Sequence, residues 1–351
     1  MSRWIDELCE LQQRGERCML VTIAAVRGSA PREVGAKMIV TAGHTIGTIG
    51  GGQLEHQCAR LAVERLGRQD SLGLRRRIAL GASLGQCCGG VVEVLFEYLE
   101  PSSPWPAALQ RLYRAGVPLL MVTGSAGLKL LLTENDCAAF GDSSGHAAAI
   151  TRLARPALAA RQPAASMATV VAGELLLEPL TAPDFNIAIF GAGHVGAACV
   201  ASLARLDCRI RWIDSRRELL PAAAPGNVEC IAAEHPALQV ALLPAGACCL
   251  VMTHSHPLDY EICAHILRRR DFAYCGLIGS RAKRRRFEKL MREQGMRQSL
   301  YRQLSCPIGV AGITGKQPAE IAVAVAAELL RLRDATAALR PPVANLHLLQ
   351  Q

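Results

Sequence analysis

Apolar residues recur along the chain in two rhythms, and the change between them falls near residue 181. Before it, short periodic segments alternate with turns. Trp4, Ile5, Leu8 and Leu11 share one face of a helix over 4–14. CMLVTIAAV (18–26) is a β-branched and apolar run that predicts a buried strand. KMIVT (37–41) and TIGTI (45–49) flank a short AGH turn and predict a hairpin. Three glycines, Gly50 to Gly52, then open the helical segment QLEHQCARLAVERLG. RRRIAL (75–80) and the alternating VVEVLFEYLE (91–100) predict strands on either side of the loop GASLGQCCGG. A helix over PWPAALQRLYRAG, strands over PLLMVT and LKLLLTE, and a last strand at 174–180 follow, while 141–170 has weak periodicity. No internal repeat is read from the sequence.

From Asn186 strand-like and helical segments alternate one for one. NIAIF, RIRWID, VECIA, CCLVMT and AYCGLIG are the strands, with helices starting near His194, Arg216, Pro236, Pro257 and Arg281. A long helix starts at Pro318, and the tail after Pro341 is expected to be loose. TAPD (181–184) marks the boundary. The expected fold is α/β. An amino-terminal α+β domain with an antiparallel sheet over 1–180 precedes a Rossmann-like, doubly wound parallel sheet over 185–340.

Composition fits two buried cores: 351 residues, 50% hydrophobic. The longest apolar stretch, Ile321–Leu330, is broken by Glu328, and Asp6, Glu7 and Glu10 stand where a secretory leader needs an apolar core. No membrane association is expected, and a cytoplasmic location is. The 14 cysteines are scattered, with vicinal pairs Cys87–Cys88 and Cys248–Cys249 and no two CxxC pairs. That usage fits a reducing compartment and no structural zinc. The net charge is +9 and nearly all of the cations are arginine. Arginine's planar fork suits phosphate and carboxylate. Aromatics are only 4% and no basic–aromatic platform is present, so no nucleic-acid partner is expected. A phosphorylated small molecule or an acidic protein fits the charge, and so does a plain arginine-rich surface.

Six motifs carry candidate chemistry. IAIFGAGHVG places Gly191, Gly193, His194 and Gly196 between a strand and a helix, with Asp214 closing the next strand. Glycines there permit a tight turn, approach of a pyrophosphate and close packing, and the acid at that spacing can accept from a ribose 2′-hydroxyl. The fingerprint also fits an empty or repurposed crevice. TIGGGQLEHQ leaves backbone N–H groups of Gly50, Gly51 and Gly52 free at a helix start, where the dipole favours an anion, and Glu55 follows. Ser29, Arg32 and Lys37 lie near it in sequence and can hold a terminal phosphate. Glycine turns needed only for sheet geometry are the alternative. LGQCCGG is expected to expose Cys87 and Cys88 in a glycine-rich loop whose backbone donors would favour a thiolate, which suits a soft metal, sulfur or a thiol-bearing ligand; two small apolar residues at a strand entrance are the alternative. THSHPLDY brings His254, His256 and Asp259 to the carboxyl end of a strand. Ligand contact or helix capping is the preferred reading there, and no metal site is assigned. GSRAKRRRF is a basic run at a helix start, either solvated or holding an anion. CPIGVAGITGKQPAEIA resembles a P-loop but has the wrong spacing and lacks the Ser/Thr.

GSAPREVGAKMIV, GTIGGGQLE, LGQCCGG, FGAGHVG, IDSR, THSHPLDYEI, YCGLIGSRAKRRRF and CPIGVAGITGKQPAEIAVAVAAELL occur in this order over about residues 1–335. The set resembles the xanthine dehydrogenase accessory protein family of the XdhC/CoxI type. The resemblance implies a non-enzymatic chaperone that binds the molybdenum cofactor (molybdopterin), chiefly through the amino-terminal domain over 1–180, and supports its sulfuration. It implies insertion into the molybdenum subunit of xanthine dehydrogenase, with a cysteine desulfurase as sulfur source. A homo-oligomer is expected. The crevice is expected to accept a nucleotide such as NAD or a cytidine-extended form of the cofactor. Two other readings stay open: an NAD(P)-dependent oxidoreductase using the crevice, and a DNA-binding regulator suggested by charge alone.

Overall fold

A computed structural model describes residues 3–68, 74–81, 89–124, 127–141, 147–159, 165–170, 173–180 and 184–338. The chain divides into two compact units between Ala182 and Pro183.

The first unit opens with α1 (Arg3–Gln13), β1 (Cys18–Arg27), β2 (Lys37–Val40), β3 (Thr45–Gly47), α2 (Gly52–Gly67), β4 (Leu74–Ala79) and β5 (Val91–Leu99). These strands form an antiparallel sheet in the order β3-β2-β1-β5-β4. Next come α3 (Trp105–Arg114), β6 (Leu119–Thr123), β7 (Lys129–Leu132), β8 (Cys137–Phe140), α4 (Ala147–Ala159), β9 (Ser166–Val170) and β10 (Gly173–Leu180). Their antiparallel order is β8-β7-β6-β10-β9, so the second sheet repeats the topology of the first.

The repeat extends to side chains. Alternate residues of β1 and β6 face opposite ways, as strand pleating requires. Met19, Val21 and Ile23 pack toward α2, Leu120 and Val122 toward α4. Leu20 and Met121 join α1 and α3 in one shared core. Lys37 Nζ donates to Thr22 Oγ1 (3.0 Å) and pairs with Glu178 (2.7 Å). Lys129 Nζ donates to Thr123 Oγ1 (2.7 Å) and pairs with Glu97 (2.6 Å). Each lysine thus bonds a threonine of its own half and a glutamate of the other. Each also lies over a tryptophan, Trp4 or Trp105, whose rings are 6.4 Å apart. The hairpin turns match too: Thr41 Oγ1 accepts from His44 N, and Thr133 Oγ1 from Asp136 N. The reading of no internal repeat is corrected: residues 3–99 and 105–180 are two copies of one motif. The weakly periodic stretch 141–170 contains α4 and β9 of the second copy.

The second unit contains β11 (Asn186–Phe190), α5 (His194–Leu203), β12 (Arg209–Asp214), β13 (Val228–Ala232), β14 (Cys248–Val251), α6 (His256–Arg269), β15 (Tyr274–Leu277), α7 (Arg281–Glu293), α8 (Gln298–Tyr301), β16 (Leu304–Ser305) and α9 (Pro318–Ala338). The helices expected near Arg216 and Pro236 are short 3-10 turns, Arg217–Leu219 and Pro236–Leu242. The sheet is parallel in the order β13-β12-β11-β14-β15-β16. α5 and α9 cover one face, α6 and α7 the other. Cys248 and Cys249 are consecutive on β14 and enter opposite cores. Every described cysteine is a free thiol. No helix of the described residues is long and apolar enough to cross a membrane.

Candidate functional site

The strand order of the second unit reverses at β11, between β12 and β14. Ligands bind such sheets at the carboxyl ends of the strands beside that reversal. There the three fingerprint glycines have separate tasks. A Cβ on Gly191, whose φ is 123°, would collide with the Met252 carbonyl at the end of β14, and one on Gly196 with the Gly191 carbonyl. Trp212 Nε1 also donates to the Gly191 carbonyl (3.0 Å). Gly191 and Gly196 therefore serve close packing of strand and helix. A Cβ on Gly193 meets nothing within 4 Å. That is the position at which a ligand backbone can approach, at the N-terminus of α5 beside the exposed His194.

Asp214 does not take the part expected of it. Its Oδ2 accepts from Ala192 N (2.6 Å) and Arg216 Nη2 (2.9 Å), and its Oδ1 from Arg216 N (2.9 Å) and Nε (3.0 Å). A carboxylate has about four lone-pair sites, so these four donors leave none for a ribose hydroxyl. Burial pushes the Asp214 carboxyl up, but the Arg216 side chain and the two backbone N–H groups outweigh it and hold the acid at about 2. The half-exposed guanidinium of Arg216 stands at the end of β12 with its Nε and Nη2 on Asp214.

The third crevice wall is THSHPLDY. Asp259 is fully buried. Its Oδ1 accepts from Thr253 N (2.9 Å) and Oγ1 (2.8 Å), and its Oδ2 from Lys283 Nζ (2.7 Å). Lys283 Nζ also donates to the Ile278 carbonyl (2.9 Å). Asp259 thus ties the β14–α6 loop to the start of α7, a structural task. His254 and His256 stay exposed, His256 as the first residue of α6. The described residues contain no group of three or more His, Cys, Asp or Glu placed to hold a metal ion. Lys283 was hidden in sequence within the basic run, where nothing marks which cation turns inward.

In the first unit three glycine-rich motifs converge. The Pro31 ring and the Arg32 side chain lie against Gly50, and the Gly28–Ser29 backbone against Gly90. Ser29 is exposed and Arg32 half-exposed, its guanidinium on the neighbouring Glu33 (3.1 Å). Two expectations are corrected. Lys37 is buried and committed to Glu178 and Thr22, so it cannot reach a phosphate. Burial pushes its ammonium down, against Glu178 and Glu97. The helix-start N–H groups are not all free: Glu55 Oε2 accepts from Ile49 N (3.0 Å), Gly51 N (3.0 Å) and the Thr48 hydroxyl. Gly50 N donates to Thr48 Oγ1 (3.1 Å), and Gly52 begins α2. Glu55 is thus an internal anion in the glycine turn rather than a ligand contact. Cys87 and Cys88 lie outside the described residues.

An antiparallel duplicated unit joined to a Rossmann-like unit defines the class of protein. Residues 11–76 match the XdhC and CoxI family and residues 187–329 the XdhC Rossmann domain, and the chain belongs to that family. It is 30% identical over 150 residues to the uncharacterized protein YqeB of Escherichia coli (strain K12). That match covers 42% of this chain and 27% of YqeB, so the chain spans about a quarter of the curated relative's length. A crystal structure described as a xanthine dehydrogenase from Bacillus halodurans superposes with a TM-score of 0.68 at 23% identity, over 96% of this chain and 98% of that one. This likeness is one of fold.

Proposed function

We propose that the chain is a non-enzymatic maturation factor for xanthine dehydrogenase: it binds the molybdenum cofactor, supports its sulfuration and hands it to the molybdenum subunit. Membership of the XdhC and CoxI family supports the role, and the open approach at Gly193 is the observation that carries ligand binding. When bound, the cofactor supplies a phosphate, a dithiolene and a soft metal with a terminal sulfido ligand. The described residues fit its anionic end. Gly193 and the N-terminus of α5 offer backbone donors, and Arg216 offers a guanidinium beside them on the sheet. The first unit, considered by itself, has an exposed Ser29 and an Arg32 paired with Glu33, and Cys87 and Cys88 of that unit are proposed to act on sulfur. A cysteine desulfurase is the proposed sulfur source, the cytoplasm the proposed location and a homo-oligomer the proposed assembly. A nucleotide-extended form of the cofactor is the proposed further occupant of the crevice. The saturated Asp214 disfavours a dehydrogenase that reads NAD through that acid.

The test is xanthine dehydrogenase made in cells with and without this chain. Without it, the enzyme is expected to contain molybdenum yet lack cyanide-releasable sulfur and activity. A Cys87→Ala, Cys88→Ala variant is expected to leave the same deficit. Full sulfur and activity without the chain would contradict the proposal.

A further inference from the structure

The carboxyl end of β16, one side of α7 and Glu328 of α9 frame an open cleft of about 580 Å³. Its walls include Arg281, Arg284 and Arg285 from the first turns of α7, with Ser305 and Cys306 from the end of β16. The volume lies within the roughly 300–1,000 Å³ of small-molecule pockets. Two acids also line the cleft: Glu288 is paired with Arg284, while Glu328 is held by neutral donors and keeps its charge against two unpaired arginines, Arg281 and Arg285. Glu288 accepts from Arg284 Nε (2.9 Å). Glu328 accepts from the Tyr274 hydroxyl (2.7 Å) and Gly309 N (2.6 Å). Arg281 and Arg285 have no acidic partner among the described residues, and both are exposed. The first-turn N–H groups and the dipole of a 13-residue helix add to the same positive field. Burial pushes the Cys306 thiol up to about 11, and its Sγ donates to the Ser280 carbonyl (3.7 Å), so this wall is neutral.

We propose that this cleft is an anion site for a phosphorylated small molecule, with Arg281 and Arg285 as the residues that grip the phosphate. A cleft with unneutralised guanidinium forks at a helix start suits a compact, doubly charged oxyanion. A nicotinamide ring, cationic when oxidised and neutral when reduced, finds three arginines there and little apolar surface beyond Pro307. The parallel sheet puts the cleft on the same edge as Gly193, at the strands on the other side of the reversal from β12. Dinucleotide-type ligands extend over that half of such a sheet. The cleft therefore selects, for the second half of a bound ligand, a phosphate ester rather than a hydride-carrying ring. This rests on the reading that the second unit holds the anionic end of the cofactor.

Pyrophosphate titrated calorimetrically at low ionic strength into the full chain carrying Gly193→Val, which closes the α5 N-terminus, tests the cleft by itself. Arg281→Ser with Arg285→Ser is expected to weaken binding at least tenfold. Arg286→Ser with Arg292→Ser removes the same charge from α7 outside the cleft and is expected to change it less than threefold. Both double variants are made in the same Gly193→Val background, so that the α5 N-terminus contributes to neither comparison. Absence of pyrophosphate binding, unchanged binding in the Arg281/Arg285 variant, or equal losses in both double variants would overturn the proposal. Binding that meets these expectations in a chain that carries no pterin overturns the cofactor reading and leaves the cleft.

Discussion

The Asp214 carboxylate is clamped by Arg216, two residues further along the chain, through the side-chain Nε and Nη2 and the backbone N–H. The fingerprint acid is therefore a partner of its own turn. Arg216, not Asp214, meets what arrives at the end of β12. A ligand with a phosphate on its ribose is expected to bind in preference to one with a free 2′-hydroxyl, the reverse of what an unpaired acid would choose. A charge-assisted hydrogen bond contributes about 1.5–3 kcal/mol, or roughly ten- to hundredfold in affinity. NADP should exceed NAD by that factor in calorimetry, and Arg216→Ala should invert the order by releasing Asp214. An NAD preference in the wild type would contradict this.

The same pair gives a pH dependence. The acid falls from 3.8 to about 2 on folding, so the pair stabilises the fold above the unfolded value and loses that contribution as the pH drops through the folded one. The stability gap between wild type and Arg216→Ala should hold at pH 5–7 and close from near 3.8 toward 2. Urea titrations across this range would show it.

The glycines separate packing from binding. Gly196→Ala forces a methyl against the Gly191 carbonyl and should cost about 1–3 kcal/mol. Gly193→Ala places its methyl in open space. It should unfold like wild type but lose nucleotide binding at the crevice. Equal stability losses in both variants would refute that division.

The duplicated first unit predicts two equivalent weak points. Lys37→Met takes the ion-pair partner from the buried Glu178, and Lys129→Met takes that of the part-buried Glu97. Each should cost about 3–5 kcal/mol. Lys37→Met with Glu178→Leu should recover most of the loss, because the isolated charge is gone. Denaturant midpoints of the three variants decide it.

The two rhythms of the sequence foretold the two units, because hairpin-linked strands give an antiparallel sheet and one-for-one strand and helix alternation gives a parallel one; β1 and β6, buried on both faces, read as continuous apolar runs all the same. The glycine fingerprint was legible because its geometry is local. The repeat was not. Trp4, Thr22, Lys37 and Glu97 have counterparts in Trp105, Thr123, Lys129 and Glu178, but their offsets shrink along the chain as the loops shorten. The first loop spans 28–36 in one copy and 124–128 in the other. Lys37, Glu55 and Asp214 all had the right residue type for a phosphate or ribose contact. What decided their roles was a partner supplied by the fold: Glu178 for Lys37, the Ile49 and Gly51 N–H groups for Glu55, and Arg216 for Asp214.

The most direct measurement compares the chain purified from cells that make molybdopterin with the chain from cells that cannot. Each preparation is denatured and oxidised, and the released fluorescent pterin is quantified per mole of protein. Substantial pterin from the first preparation and none from the second is the expected result. The absence of pterin from both would contradict the assignment of this protein as a molybdenum cofactor carrier.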